Sequence, residues 1–291
     1  AAAAKASERA KRVEVNATEL EEDDSTLSEK VARLAEMLRL AKHAVVYTGA
    51  GLSTAASIPD YRGPQGLWTL ANKPAAAAGG GGGVGGARNA PCAARQAMGQ
   101  SFAEARPTAG HMALHALLAK GVIKHIISQN VDGLHLRSGV PAAKLCELHG
   151  NVFRERCPHC AREYLRGFDV TGRSSYHRHT TGRTCERKGC PPEAELRDTI
   201  VYFGEKVDES TLEAAKHHSE RADLALFLGT SLKVLMHYPF IWQRPQKPLV
   251  KQFVIVNLQP TPKDRIAELR LHGRCDDVLL RLLDALGLSL P

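Results

Sequence analysis

At 291 residues, with 43% apolar and 24% charged side chains, the chain can bury a sizeable core and is too apolar to stay disordered. The net charge of +8 is uneven: the first thirty residues hold five basic and eight acidic residues, so the rest carries +11, which suits acidic partners such as nucleic acid or nucleoprotein and equally serves solubility. No run approaches the ~18 consecutive apolar residues of a spanning helix and no leader pattern opens the chain, so no membrane association is expected, and the compartment is expected to be reducing.

Residues 1–27 read as an Ala-rich, then acidic extension, frayed or partly helical through Glu21-Glu22-Asp23-Asp24. From Ser28 to Leu40, Val31, Leu34 and Leu38 recur at helical spacing, predicting an amphipathic helix capped by Ser28 that covers one face of a sheet. Strand-sized apolar runs follow at Ala44–Tyr47, Lys124–Ser128, Leu224–Leu228 and Phe253–Val256, with helical patterns at Ala109–Lys120 and Ser210–Arg221. This alternation predicts an α/β fold, a Rossmann-like parallel sheet with helices on both faces. The crossover between the second and third runs is too long for one helix, so a small module is expected at 151–197, inside a main domain of 28–150 and 198–291. The run Ala75–Ala90 has almost no side chains with which to build a core and is expected to be a mobile loop.

The first strand runs into Thr48-Gly49-Ala50-Gly51-Leu52-Ser53. Paired glycines after a strand let backbone approach a pyrophosphate, with a following helix N-terminus as donor. Thr54 stands where a third glycine would be, and no acid lies between Asp60 and Glu104 to hold a ribose, so a dinucleotide would be bound unlike in an ordinary dehydrogenase.

Inside the expected module, Cys157 and Cys160 form one pair and Cys185 and Cys190 another, four thiolates suited to a tetrahedral zinc ion. His159 and His179 are alternative ligands. Cys92, Cys146 and Cys275 are left as unpaired thiols.

The segments Ala56-Ser57-Ile58-Pro59-Asp60-Tyr61-Arg62-Gly63, Gln129-Asn130-Val131-Asp132-Gly133-Leu134-His135 and Leu148-His149-Gly150 carry the sharpest signal. With Gly49 to Ser53, they closely resemble the signatures of the sirtuins, NAD-dependent protein lysine deacylases; Thr181–Cys185, Leu196–Ile200 and Leu271–Gly273 resemble the family's nuclear class IV branch. The resemblance implies His149 as general base, with Gly150 leaving room for substrate, and Asp132 as the nicotinamide contact. It implies Gln129 and Asn130 as ribose contacts, and Gly49, Ala50, Gly51, Ser53, Asp60, Tyr61 and Arg62 as cofactor-loop residues. Gly229, Thr230, Ser231, Asn257, Leu258 and Cys275 fall on the adenosine side. The acyl-lysine peptide is expected as an extended strand between Phe203-Gly204-Glu205 and a segment around Val234. The flank Trp68–Lys73 is expected to close over NAD.

NAD and zinc are thus the expected cofactors, and acylated lysines of histones or other nuclear proteins the expected substrates. Nucleic acid is a further candidate partner, and the nucleus, including the nucleolus, the expected location. Mono-ADP-ribosyl transfer, and a chromatin- or RNA-binding module with weak NAD use, stand as alternatives.

Overall fold

In the computed structural model, residues 18–60, 62, 66, 102–173, 177–243 and 251–291 are described. The loop 75–90, the flank 68–73, Tyr61 and Cys92 lie outside them.

Helix α1 (Asp24–Leu40) starts four residues before the expected Ser28. Asp23 is its cap: the carboxylate accepts from the Thr26 amide at 2.9 Å and from the Ser25 and Thr26 hydroxyls. Ser28 lies one turn inside, its hydroxyl donating to the Asp24 carbonyl at 2.8 Å. An Asp at the cap satisfies the free amides of the first turn and suits the positive end of the helix, so the acidic run builds the helix rather than fraying it. Just upstream, the Leu20 and Glu22 amides donate to the Leu258 and His272 carbonyls at 2.8 and 2.9 Å, laying this segment along the main domain.

Strand β1 (Ala44–Thr48) is followed by helix α2 (Ala109–Ala119), strand β2 (His125–Ser128), the short helix α3 (Leu134–Arg137) and strand β3 (Leu145–Glu147). The chain then enters a separate antiparallel sheet of β4 (Arg154–Arg156), β5 (Glu163–Leu165), β6 (Thr180–Thr184) and β7 (Glu195–Asp198), ordered β5-β4-β7-β6. It returns through α4 (Glu209–Arg221), β8 (Leu224–Leu228), α5 (Pro239–Trp242), β9 (Gln252–Val256), β10 (Leu269–Leu271) and α6 (Cys275–Ala285). The large sheet is ordered β10-β9-β8-β1-β2-β3, and each of its pairings is parallel.

Its strands are buried on both faces, which is why they read as continuous apolar runs. Val46, Leu226 and Val254 pack with α1, α2 and α6, whereas Tyr47, Phe227 and Phe253 pack on the α4 side. The Tyr47 and Phe227 rings stack at 4.7 Å, and the Tyr47 hydroxyl meets Ser219 Oγ at 2.6 Å, so its polar tip is satisfied within the core. Burial of a ring this size contributes roughly 2–3 kcal/mol. No helix among the described residues is long and apolar enough to cross a membrane.

From β1 the sheet grows one way through β2 and β3 and the other way through β8, β9 and β10. The order therefore reverses between β1 and β8, and a crevice opens beyond the carboxyl ends of these two strands.

Candidate active site

The glycines after β1 meet the glycine after β8 in that crevice. Gly49 and Gly51 donate from their amides to the Leu228 and Gly229 carbonyls at 3.0 and 2.9 Å. A Cβ on Gly51 would lie 2.7 Å from Gly229 Cα, and one on Gly49 would lie 2.7 Å from Gly229 O; Gly229 is itself left-handed at φ 58°. The glycines are thus required by the contact between the two loops. The expected α-helix after them is instead a pair of single 3-10 turns, Ala50–Leu52 and Thr54–Ala56, so the glycine loop itself carries no long helix N-terminus.

The loop after β2 places a buried polar chain beneath this seam. Asn130 Nδ2 donates to Gly49 O and to Ser53 Oγ at 3.1 Å each, and Ser53 Oγ donates to Asp132 Oδ2 at 2.7 Å. Asp132 Oδ1 accepts the Leu134 amide at 2.9 Å. Burial pushes the Asp132 carboxyl up, against those two hydrogen bonds. Gln129 Nε2 donates to Thr230 Oγ1 at 2.9 Å, joining the β2 and β8 loops.

His149 projects from the loop after β3. Its Nδ1 lies 2.9 Å from the Gln129 carbonyl. A carbonyl only accepts, so Nδ1 carries the proton and Nε2 keeps the lone pair in the neutral ring. Burial pulls the His149 pKa below its ordinary value, more than the Gln129 bond raises it, so the ring is neutral at pH 7. The neighbouring Gly150 is not spare room for substrate: at φ 80°, a Cβ there would sit 1.9 Å from the Thr199 carbonyl oxygen, where the chain leaves β7.

One cleft of about 950 Å³ collects these groups. Gly49, Ala50, Gly51, Ser53, Asp60 and Arg62 line it from the β1 side, and Gln129, Asn130, Asp132 and His149 from the β2 and β3 loops. Gly229, Thr230, Ser231, Asn257, Leu258 and Cys275 line the β8–β9 side, and Phe203, Gly204, Glu205 and Val234 the remaining wall. Tyr61 is outside the described residues. The volume lies at the upper end of the ~300–1,000 Å³ usual for ligand pockets. A cleft of this size, backed by polar side chains and glycine backbone at a strand-order reversal, fits a dinucleotide.

The two segments expected to flank an extended peptide are not strands here. Phe203 and Gly204 form a turn, with Gly204 at φ 93°, and Val234 opens a 3-10 turn after Leu232 at φ 58°. Phe203 is 58% exposed and so is no core residue.

In the small module, the four Sγ atoms of Cys157, Cys160, Cys185 and Cys190 all lie within 4.8 Å of one another. The 157–190 and 160–185 separations are 3.5 and 3.7 Å. Zinc–sulfur bonds of 2.3 Å in a tetrahedron place sulfurs about 3.8 Å apart, so the donor set fits zinc, and the four-residue spacing of the second pair does not prevent it. The Tyr164 hydroxyl, 3.2 Å from Cys185 Sγ, helps to lower that thiol to about 6. His179 is not a ligand: its ring nitrogens face Asp198 and Glu205. His159 is likewise absent from the cluster. Cys146 and Cys275 are buried free thiols, pushed up by burial to about 11 and about 12.

Residues 49–236 match the Sir2 family. The chain belongs to this family, the sirtuins. It is 47% identical over 279 residues to the NAD-dependent protein deacetylase sirtuin-7 of Bos taurus and to that of Homo sapiens, each match covering 93% of this chain. It spans about 63% of the length of those relatives. The NAD-dependent protein deacetylase SRT1 of Arabidopsis thaliana is 40% identical over 264 residues, covering 90% of this chain and 50% of the plant protein. Among solved structures, Sir2 bound to acetylated peptide aligns with TM-score 0.62 at 30% identity, covering 89% of this chain and 100% of that one. Sir2 with p53 peptide and NAD+ aligns at 0.61 and 31%, covering 88% and 98%. Within the sirtuins, this chain is most like the sirtuin-7 type.

Sequence reasoning missed several residues of the sirtuin cleft. Glu19, from the N-terminal segment, lines it and accepts from Gln259 Nε2 at 3.3 Å; Arg274 and Tyr238 line it too. Nothing local marks them, because each reaches the cleft only through tertiary packing. Glu147 escaped notice for the same reason. It accepts from Asn151 Nδ2 at 2.7 Å and pairs with Arg154 at 3.0 Å, and burial pushes its carboxyl up to about 7 against the pull of Arg154.

Proposed function

We propose that the chain is an NAD-dependent protein lysine deacylase that yields nicotinamide and O-acyl-ADP-ribose. The observation that carries this is the tautomer of His149. Gln129 O fixes the proton on Nδ1, so Nε2 presents a lone pair to the same cleft that holds Asp132 and the glycine seam. When bound, NAD supplies an activated ribose with nicotinamide as leaving group, and the acyl oxygen of the substrate lysine is the nucleophile.

His149 accepts a proton at Nε2, and its neutral state at pH 7 makes it competent without prior deprotonation. Asp132 holds Ser53 and the Leu134 amide, which keeps the nicotinamide end of the cleft in one shape. Arg62 lines the cofactor side, where a guanidinium suits a diphosphate. Gln129 and Thr230 hold the ribose side together. The four cysteines hold zinc as a structural clip, since a complete thiolate set leaves no open position for substrate.

The substrate is an acylated lysine of a histone or another nuclear protein, and the protein works in the nucleus, including the nucleolus. The +11 charge outside the first thirty residues supports an acidic or nucleoprotein partner, and nucleic acid is a candidate activator. The relatives' names as deacetylases and the acetylated peptide held by a solved Sir2 support the reaction class.

The test is an NAD-dependent screen of acyl-lysine histone peptides, with and without added nucleic acid, with products weighed by mass spectrometry. Free deacylated peptide with O-acyl-ADP-ribose is expected. Protein carrying ADP-ribose, with the acyl group still on lysine, would establish the transferase alternative instead.

A further inference from the structure

One charged cluster ties the zinc module to the cleft wall. His179, just before β6, holds a left-handed φ of 60°, and His177 two residues upstream holds 65°. Both His179 ring nitrogens meet carboxylates: Nδ1 lies 3.0 Å from Asp198 Oδ1 at the end of β7, and Nε2 lies 2.9 Å from Glu205 Oε1. Glu205 Oε1 also takes His177 Nδ1 at 2.5 Å, and its Oε2 accepts the Tyr202 amide at 2.8 Å. The Tyr202 ring packs against both imidazoles, with centroids 5.5 and 5.2 Å away.

The Asp198 side chain is fully buried. Its Oδ1 also accepts the Ile200 amide at 3.0 Å, and its Oδ2 has no hydrogen-bond partner among the described residues. A buried carboxylate in such a setting needs a counter-charge close by. A neutral imidazole has one N–H and would turn a lone pair toward one of the two carboxylates; only the imidazolium donates to both. Burial pulls the His179 pKa down, but the bonds to Asp198 and Glu205 outweigh it and hold it above 6.5. Burial pushes Glu205 up, yet His177, the Tyr202 amide and His179 hold it below the usual carboxylate range. Two non-glycine residues held left-handed, at roughly 1–2 kcal/mol each, persist where surrounding contacts fix them, and such strain gathers at functional segments.

We propose that His179, as an imidazolium bridging Asp198 and Glu205, is a positioning residue for the acyl-lysine side of the cleft. It fixes the Phe203-Gly204 turn, whose exposed ring lines that wall. This rests on the deacylase reading of the cleft. The titratable groups facing His179 are Asp198, Glu205 and Tyr202, with His177 sharing Glu205. Because the folded pKa is raised, the bridge is intact below about 6.5 and opens as pH rises through the folded value. Peptide binding therefore weakens on the alkaline side, the opposite limb from the one set by His149.

The test combines a variant with a spectrum. His179→Gln can donate to only one of the two carboxylates, and should raise the peptide KM roughly tenfold, the loss of about 1.4 kcal/mol. Its NAD KM and zinc content should stay within about twofold of wild type, and the wild-type rise of peptide KM on the alkaline side should vanish. An unchanged peptide KM with the same alkaline rise overturns the proposal, and so does a parallel loss of NAD affinity and zinc, which would mark a purely structural role. Nitrogen-15 spectra of the wild-type, zinc-loaded chain need neither variant nor turnover: at pH 6.5, where an ordinary imidazole is half neutral, both His179 ring nitrogens should be protonated in most molecules, and a predominantly neutral ring overturns the proposal. A wild-type chain that deacylates no peptide contradicts the deacylase reading instead; calorimetric peptide affinity then replaces KM in the same comparison.

Discussion

Gly150 and Thr199 meet at the junction of the two modules so closely that a Cβ on Gly150 would lie 1.9 Å from the Thr199 carbonyl oxygen. The residue beside the proposed base is thus pressed against the strand that returns from the zinc module, and His149 is placed by both modules at once. Gly150→Ala must move backbone and also hold a left-handed φ; together these cost about 2–5 kcal/mol. Its thermal midpoint should fall and its turnover should drop at least tenfold, with zinc retained. Crystals of an active variant with an unmoved Thr199 would contradict this placement.

The zinc module should hold about one zinc per chain, read by elemental analysis. Its own core is small, with Tyr164, Ala194 and Leu196 packed around the cysteines. Structural zinc contributes roughly 10–16 kcal/mol of apparent binding energy in isolated fingers, more than such a core supplies. Cys157→Ser or chelation should therefore expose residues 154–198 to protease before the parallel sheet unfolds. Purified wild-type protein without zinc would refute the site.

Asp132→Ala leaves the Ser53 hydroxyl and the Leu134 amide without their acceptor. Orphaning buried donors costs about 1–3 kcal/mol each. NAD KM should rise at least tenfold while peptide KM changes little, and steady-state kinetics on both substrates separates the two. Equal effects on both constants would mean that Asp132 supports the whole cleft rather than its nicotinamide end.

His125 and His135 are buried and neutral, and burial pulls them down to about 3 and about 4. These folded values lie below the unfolded value of about 6.5, so the unfolded chain takes up protons first. Their contribution to stability is full above about 6.5 and is lost as pH falls toward the folded values. Each group costs up to about 1.4 kcal/mol per pH unit in that window. Urea unfolding should thus show a loss of about 4 kcal/mol between pH 7 and 5 from this pair, and His125→Gln should remove roughly half of that slope. An identical pH dependence in the variant would show that His125 does not titrate on unfolding.

The central strands were legible because Leu224 to Leu228 and Ala44 to Tyr47 are buried on both faces and stand out as apolar runs. The edge strands Leu145–Glu147 and Leu269–Leu271 were not: three residues with one polar member carry no period. The cleft residues were legible through their motifs, although the glycines serve the Gly51–Gly229 contact rather than open space. The His179–Glu205 bridge could not be read, since its partners lie 26 residues apart and meet only once the module folds back. The helix start was misplaced because an acidic run looks solvated until one of its members, Asp23, is seen to hold the amide of Thr26.

The most direct test is turnover of an acyl-lysine peptide by wild type and by His149→Ala, with NAD affinity measured by calorimetry on the same preparations. General-base catalysis is worth roughly 10²–10⁴-fold, so the variant should lose at least a hundredfold in deacylation while binding NAD within about twofold of wild type. Wild-type activity should also persist down to about pH 6.5 and fall only below it, because the His149 pKa is lowered by burial. A folded, zinc-loaded His149→Ala protein that deacylates at the wild-type rate would contradict the account.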